Sequence, residues 1–299
     1  MKAKAWITAF RLRTLPLALS SIGMGAFIAA IQNAFNGAIF GFCALTTVLL
    51  QILSNLANDY GDTVNGADSD ERTGPARMVQ SGMISLGEMR KAMGIFILLA
   101  LGSGIYLLYL AFGLDWEAFL FFFGLGVLSI LAALAYTAGR KPYGYIGLGD
   151  LSVFIFFGLI GVLGSYYLYT QDLAWDLILP AASCGLFSVA VLNVNNIRDI
   201  QSDQKAGKYS IPVRIGRSKA VVYHWFLLIG GLLSALVYVA LNFSSPWQLL
   251  FLLVSPLIIK NGIAVSTKTA SDQLDPYLKQ MAISTLLFVL LFGIGNLLV

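Results

Sequence analysis

Two stretches combine carboxylates and side-chain amides at spacings that could bind a charged ligand. The first is Asn55-Leu-Ala-Asn58-Asp59-Tyr60-Gly-Asp62-Thr-Val-Asn-Gly-Ala-Asp68, which closes a long apolar run from Gly41 to Leu56. The second is Asn193-Val-Asn195-Asn196-Ile-Arg198-Asp199-Ile-Gln-Ser-Asp203. Asn58 and Asp62 are four residues apart, as are Asp199 and Asp203. On a helix that spacing puts each pair on one face, about one turn apart. Two such pairs of oxygen donors suit a hard divalent cation. Bases gather beside them: Arg72, Arg77, Arg140, Lys141, Lys205, Lys208 and Arg214. These suit a polyanion, and arginine can grip phosphate through two parallel hydrogen bonds.

The elements that must position these groups are membrane helices. The chain has 299 residues, 58% of them hydrophobic and only 11% charged, with a mean hydropathy of +0.79. A soluble chain carries about 25% charged residues. The charges fall in loops and leave apolar blocks of about 20 residues, each enough to cross a bilayer core. The short polar/apolar alternation of a transmembrane barrel is absent. The reading is an all-α polytopic membrane protein with nine transmembrane helices, at about 14–32, 38–59, 92–112, 117–137, 149–169, 177–197, 220–241, 247–265 and 278–298. With these spans, all 19 Lys and Arg residues lie in or around the connections of one side. The positive-inside rule then gives a cytoplasmic N-terminus and an external C-terminus. The net charge of +4 reflects this topology and needs no nucleic-acid partner.

In this topology the second and sixth spans both run towards the cytoplasm, so their acids lie at helix C-termini, the negative ends of the macrodipoles. An anion there is disfavoured by about 0.3–1 kcal/mol, and drawing it into the bilayer costs at least about 2.5 kcal/mol more. If the two tips meet, Asp59, Asp62, Asp199 and Asp203 gather in this setting. Two divalent cations would offset them. Magnesium typically binds one or two carboxylates together with substrate phosphates. A metal–diphosphate site in a membrane calls for a lipid diphosphate.

Other residues read more plainly. Cys43 and Cys184 lie in apolar spans, as packing groups. His224, the sole histidine, reads as a hydrogen-bonded packing residue. Asp150 reads as a cap or dipole partner at the start of the fifth span. The segment Trp6–Pro16 reads as an interfacial lead-in, with Arg11 or Arg13 reaching a cytoplasmic polar site as the sharper alternative. The connections 60–91 and 198–219 are long enough to be binding loops. Arg77 follows Asp62 by 15 residues and Arg214 follows Asp199 by 15. This faint repeat points to two four-helix halves, 14–137 and 149–265, with a ninth helix, 278–298, added to a single domain.

The paired motifs Asn58-Asp59-x-x-Asp62 and Asp199-x-x-x-Asp203, with Asp68, resemble the two aspartate-rich motifs of the UbiA superfamily of intramembrane aromatic prenyltransferases. Four stretches resemble its menaquinone branch: Asn58-Asp-Tyr-Gly-Asp62…Gly66-Ala-Asp68, Arg72-Thr-Gly74-Pro75-x-Arg77, Tyr136-Thr…Tyr143-Gly-Tyr-x-Gly-Leu-Gly149-Asp150 and Asn195-Asn-x-Arg198-Asp199. The resemblance implies a UbiA-type helical bundle with a polar cavity on the cytoplasmic side of the inner membrane. It implies that Asn58 and Asp62 hold one Mg2+ and Asp199 and Asp203 a second, with Asn195, Asp59 and Asp68 in support. Tyr136 and Arg140 match the family's Tyr-x-x-x-Lys element, with Arg in place of Lys and Lys141 adjacent. The implied reaction transfers a polyprenyl chain from polyprenyl diphosphate to 1,4-dihydroxy-2-naphthoate, releasing diphosphate and CO2 and giving demethylmenaquinone. Asp62, Asp199 and Asp203 are its expected catalytic acids. Arg72, Arg77, Arg140, Lys141, Lys208 and Arg214 are its expected diphosphate-binding bases. The same chemistry on 4-hydroxybenzoate or homogentisate is an alternative. An ion-coupled transporter is a more distant one, since transporter sites lie nearer the bilayer midplane.

Overall fold

The computed structural model describes residues 2–66, 77–139 and 141–299. Asp68, Arg72 and Arg140 lie outside the described residues. Nine helical segments among the described residues are long and apolar enough to cross a membrane. They match the expected number and order, and their ends differ where local hydrogen bonding extends them.

The first span is broken. Helix α1 (Lys2–Phe10) stops at Arg11, whose left-handed backbone (φ 49) precedes a short 3₁₀ turn, and α2 (Leu15–Ile31) follows with Pro16 in its first turn. Proline is tolerated there because its missing N–H has no intrahelical acceptor. Asn55 seals the break by donating to the Phe10 carbonyl at 2.9 Å and to the Thr14 hydroxyl at 3.0 Å. Helix α3 (Gly37–Val64) is capped by Asn36 and runs beyond the expected end at 59, so Asp59 and Asp62 lie within its last turns. Helix α4 (Leu86–Phe112) begins before the expected 92, because Ser85 and Glu88 form a reciprocal capping box. Helix α5 (Trp116–Ala135) is capped by Asp115.

The fifth span starts as α6 (Gly149–Val153), widens into a π-helical stretch over Phe154–Gly164, and finishes as α7 (Ser165–Thr170). Gly158 sits against Gly185 of α8 (Ile178–Arg198), where a Cβ would lie 2.8 Å from the Ala181 carbonyl oxygen. This is the close helix approach that glycines permit in membranes. The connection after α8 is not structureless. It holds α9 (Ile200–Lys205), and α10 (Ile211–Leu241) starts well before the expected 220, with a kink at Gly216 (φ 76). A 3₁₀ segment, Pro246–Val254, leads into α11 (Ser255–Thr267), and α12 (Ser271–Leu297) closes the bundle against α2 and α8.

The contacts sort by end of the bundle. Lys2–Glu88, Arg13–Asp275 and the bond from Arg217 to the Val265 carbonyl join elements at one end. Asn242–Asp176 and Gln171–Ala111 join elements at the other. This is the up-and-down arrangement that the charge segregation implied.

The tightest approach near the acids is at Gly61, between Asn58 and Asp62. A Cβ there would meet the Thr137 backbone carbonyl carbon and oxygen, each at 2.6 Å. That backbone cannot yield as a flexible side chain would. Gly61→Ala is expected to cost about 1–3 kcal/mol through overpacking, read as a lower thermal midpoint in detergent than that of wild type.

Candidate active site

The two acidic tips open onto one cavity of about 470 Å³. Asn58, Asp62, Asn195, Asn196, Asp199 and Asp203 line its polar end, with Arg77 and Lys208 beside them. Its other walls are apolar and include Leu107, Leu108, Phe122, Phe123, Ile160 and Leu168. The last of these is two residues from the end of α7, so the cavity extends well along the bundle.

On the first tip, Asn58 faces the turn after α5. The Thr137 hydroxyl donates to the Asn58 side-chain oxygen and to the Ala57 carbonyl, both at 3.1 Å. Asn65 donates back to the Thr137 carbonyl at 2.8 Å. Asp62 is held on both oxygens. One pairs with the Arg77 guanidinium, and the other accepts from the Tyr145 hydroxyl at 2.8 Å. Tyr145 reaches the acid from the 3₁₀ turn Tyr143–Ile146.

Asp59 has a different task. Its carboxylate points away from the cavity and accepts from the backbone N–H groups of Met78 at 3.0 Å and Val79 at 3.2 Å. Those residues and Ile84 are buried in one apolar cluster with Ala5, Ala9, Ile52, Leu53 and Leu56. Asp59 thus anchors the segment that delivers Arg77 to Asp62.

On the second tip, Asp199 ends α8 and Asp203 lies one turn later in α9, joined by a 2.8 Å backbone bond from Asp203 N–H to the Asp199 carbonyl. The Arg198 guanidinium grips both Asp199 oxygens at 2.7 Å and donates to the Asn195 side-chain oxygen at 2.9 Å. Asp203 Oδ1 accepts from Lys208 at 3.3 Å. Its Oδ2 is buried without a hydrogen-bond partner among the described residues, as is the Asn196 side-chain oxygen. Burial, together with the charges of Asp199 and Asp62, pushes the Asp203 carboxyl up to about 6, although Lys208 opposes the shift. Burial works against the Lys208 ammonium, yet Asp203, Asp62 and Asp199 together raise its pKa. The acids of both tips therefore act on one another's surroundings.

The expected bases divide. Arg77 and Lys208 reach the cavity. Arg214 does not, since it donates to the Tyr209 carbonyl at 3.0 Å and the Ile146 carbonyl at 2.9 Å, bracing the turn at Gly147. The equal 15-residue offsets consequently do not mark equivalent contacts: Arg77 meets Asp62, whereas Asp199 meets its own neighbour Arg198. Lys141 is exposed and outside the cavity lining. Tyr136 lines it, with its ring edge-on to Tyr143 at 5.4 Å. Arg11 lines it as well, while Arg13 turns to Asp275 at 3.1 Å. His224 is fully buried outside the lining and bonded to Asn261 at 2.9 Å. Both cysteines are free and buried. Asp150, in the first turn of α6, accepts from the Tyr223 hydroxyl at 3.0 Å.

The sequence reading missed Tyr145, Thr137 and Asp275. Tyr145 and Thr137 stood within quoted motifs, but nothing in their spacing named Asp62 or Asn58 as partners.

Comparison with known proteins places the chain in a family. Residues 18–295 match the model of the UbiA prenyltransferase family. The chain belongs to that family. A 1,4-dihydroxy-2-naphthoate octaprenyltransferase of Haemophilus influenzae is 45% identical over 98% of this chain and 96% of its own length. An Escherichia coli protein of the same name is 44% identical over 98% of this chain and 95% of its own. Two solved structures share the fold. A UbiA homologue from Aeropyrum pernix K1 superposes with a TM-score of 0.69, at 17% identity over 97% of this chain and 98% of that one. A homologue from Archaeoglobus fulgidus, bound to DMAPP and Mg2+, superposes with a TM-score of 0.68, at 16% identity over 98% and 99%. The family's membership accounts for the nine-span bundle and makes this a multi-pass membrane protein.

The Asp59 anchor yields a direct test. Asp59→Ala leaves two buried N–H groups unsatisfied, each costing about 1–3 kcal/mol. Limited proteolysis should then cut within 77–85 faster than in wild type, while cleavage in the loops at the other end of the bundle is unchanged.

Proposed function

We propose that this protein transfers a polyprenyl chain from its diphosphate to 1,4-dihydroxy-2-naphthoate, with loss of diphosphate and CO2; its nearly full-length relatives at 44–45% identity are named 1,4-dihydroxy-2-naphthoate octaprenyltransferases. The observation that carries the reading is the meeting of two oxygen-donor pairs, Asn58 with Asp62 and Asp199 with Asp203, and two buried bases at the polar end of one otherwise apolar cavity. We further infer that the polar end faces the cytoplasm, with the N-terminus inside and the C-terminus outside a bacterial inner membrane. The expected segregation of Lys and Arg supports this orientation.

The residues present fit magnesium. No group of three acidic, His or Cys side chains forms a closed metal cage among the described residues. Magnesium does not require one, because it keeps waters and shares substrate phosphates. The orphaned Asp203 and Asn196 oxygens are acceptors suited to a cation or its water shell. Asn58 with Asp62, and Asp199 with Asp203, are the pairs that would hold two ions, with Asn195 beside the second. Bound magnesium would supply Lewis-acid neutralisation of the departing diphosphate.

The chain's own groups supply the rest. Arg77 and Lys208 lie where the leaving group's charge develops and would shift from their carboxylates towards phosphate oxygens. Tyr145 keeps Asp62 oriented as Arg77 shifts. The apolar walls receive the prenyl tail and exclude water from the allylic carbon, which would otherwise be hydrolysed. The electron-rich ring forms the new bond at the carbon bearing the carboxyl group. The electron pair of the breaking C–CO2 bond restores the aromatic ring, and the diphosphate leaves with its own bonding pair. Loss of CO2 takes the place of proton removal, so the reaction needs no histidine base. His224, buried between Asn193 and Asn261, is not placed to act as one.

Asp62→Ala and Asp199→Ala should each lower turnover at least about a hundredfold, the scale of losing a preorganised charge-stabilising group, while still inserting and folding. Mass-spectrometric assay of detergent-purified protein with a polyprenyl diphosphate, magnesium and a panel of aromatic acids checks both the variants and the acceptor. Near-normal rates in either variant would refute the metal assignment. In the same assay Lys208→Ala should lose most activity, whereas Arg214→Ala should keep most of it, because Arg214 braces carbonyls outside the cavity.

A further inference from the structure

Arg198 is almost wholly buried, with 1% of its side chain exposed, and it serves two acids at once. Its Nε and one terminal nitrogen grip the two Asp199 oxygens at 2.7 Å each. Its other terminal nitrogen donates to Asp275 Oδ1 at 2.6 Å. Asp275 comes from the first turns of α12, far along the chain, and its second oxygen accepts from Arg13 at 3.1 Å. None of Arg13, Arg198 and Asp275 lines the cavity. The result is a relay of alternating charge, Arg13–Asp275–Arg198–Asp199, that ends at the cavity wall.

Charge balance gives the relay its meaning. A bidentate guanidinium beside a buried carboxylate neutralises it, and a neutralised Asp199 is a poor ligand for a divalent cation. Asp275 adds a second negative charge on the far edge of the same guanidinium. The triad of Arg198, Asp199 and Asp275 then carries a net charge of about −1 at neutral pH. Arg13 opposes this, but its side chain and that of Asp275 are each about a third exposed (33% and 32%). Its effect is therefore screened more than that of the buried pair.

We propose that Asp275 is a positioning residue that sets the charge of the second metal-binding pair: by holding the far edge of Arg198 it keeps Asp199 anionic enough to take a divalent cation. This rests on the metal assignment above. Asp275 touches neither substrate nor metal and acts only through Arg198. The geometry also fixes the direction of change at each end of the relay. Removing the Asp275 charge should weaken cation binding, and removing the Arg13 charge should not. A purely structural tie between α12, α8 and the turn before α2 predicts something else, since breaking either bond would loosen the same junction.

The test is Mn2+ binding, followed by electron paramagnetic resonance on the purified full-length protein in detergent without substrate. Asp275→Asn should weaken Mn2+ binding about fourfold, the effect of one unit charge on a divalent ion over about 10 Å in a water-like dielectric. Asp275→Glu should restore it, and Arg13→Gln should leave it equal to wild type or tighter. Unchanged binding in Asp275→Asn, or weakening in both Asp275→Asn and Arg13→Gln, overturns the proposal. Prenyl transfer by the wild-type protein is assayed in parallel. Normal transfer with unchanged binding in Asp275→Asn sinks the positioning role alone. Opposite shifts in a wild-type background that transfers no prenyl group would uphold the relay and sink the functional reading. Wild-type protein that binds no Mn2+ overturns the positioning role, and the parallel transfer assay then decides the functional reading by itself.

Discussion

Negative charge brought together at two helix tips is the constraint around which this bundle is built. Asp62, Asp199 and Asp203 are each nearly excluded from water, and each lies at or just beyond the carbonyl end of a helix. Burying one such carboxylate without a partner would be prohibitive. The fold answers with a base for each: Arg77, Arg198 and Lys208. Two of these bases line the cavity and one is locked behind it. That division separates what can turn towards a ligand from what must stay to hold the frame.

The distribution of support follows from where the two tips come from. Asn58 and Asp62 sit on a helix that ends against Thr137, so their orientation is set by close backbone packing at Gly61. Asp199 and Asp203 sit at a helix end that turns into a short second helix, so theirs is set by charge. Backbone packing fixes the first tip, where Arg77 and Tyr145 then hold Asp62, whereas the second tip rests on its ion pairs.

Much of this was legible in the chain. Apolar blocks separated by the charged connections dictated the number and order of the spans, because the bilayer penalises charge within them. The four-residue spacings of Asn58 with Asp62 and of Asp199 with Asp203 marked residues that line one cavity, because helical periodicity is local. What was not legible depends on distant approach. Tyr145 lies 83 residues from the acid it contacts, and Asp275 lies 77 from Arg198. The matched 15-residue offsets of Arg77 and Arg214 do not carry over into equivalent contacts, because a distance along the chain carries no direction once a turn such as that at Gly207 (φ 70) intervenes. Span ends were missed where helices continue through polar residues, as α3 does to Val64, since hydropathy marks where lipid ends rather than where a helix does.

The shared apolar cluster beneath α1 and the 77–84 segment has a mechanical consequence. Ala5 and Ala9 from one side, and Met78, Val79 and Ile84 from the other, sit on the same patch of α3. Lifting either piece exposes the seat of its neighbour to water. The two pieces are therefore mechanically coupled: whatever loosens one strips apolar cover from the other.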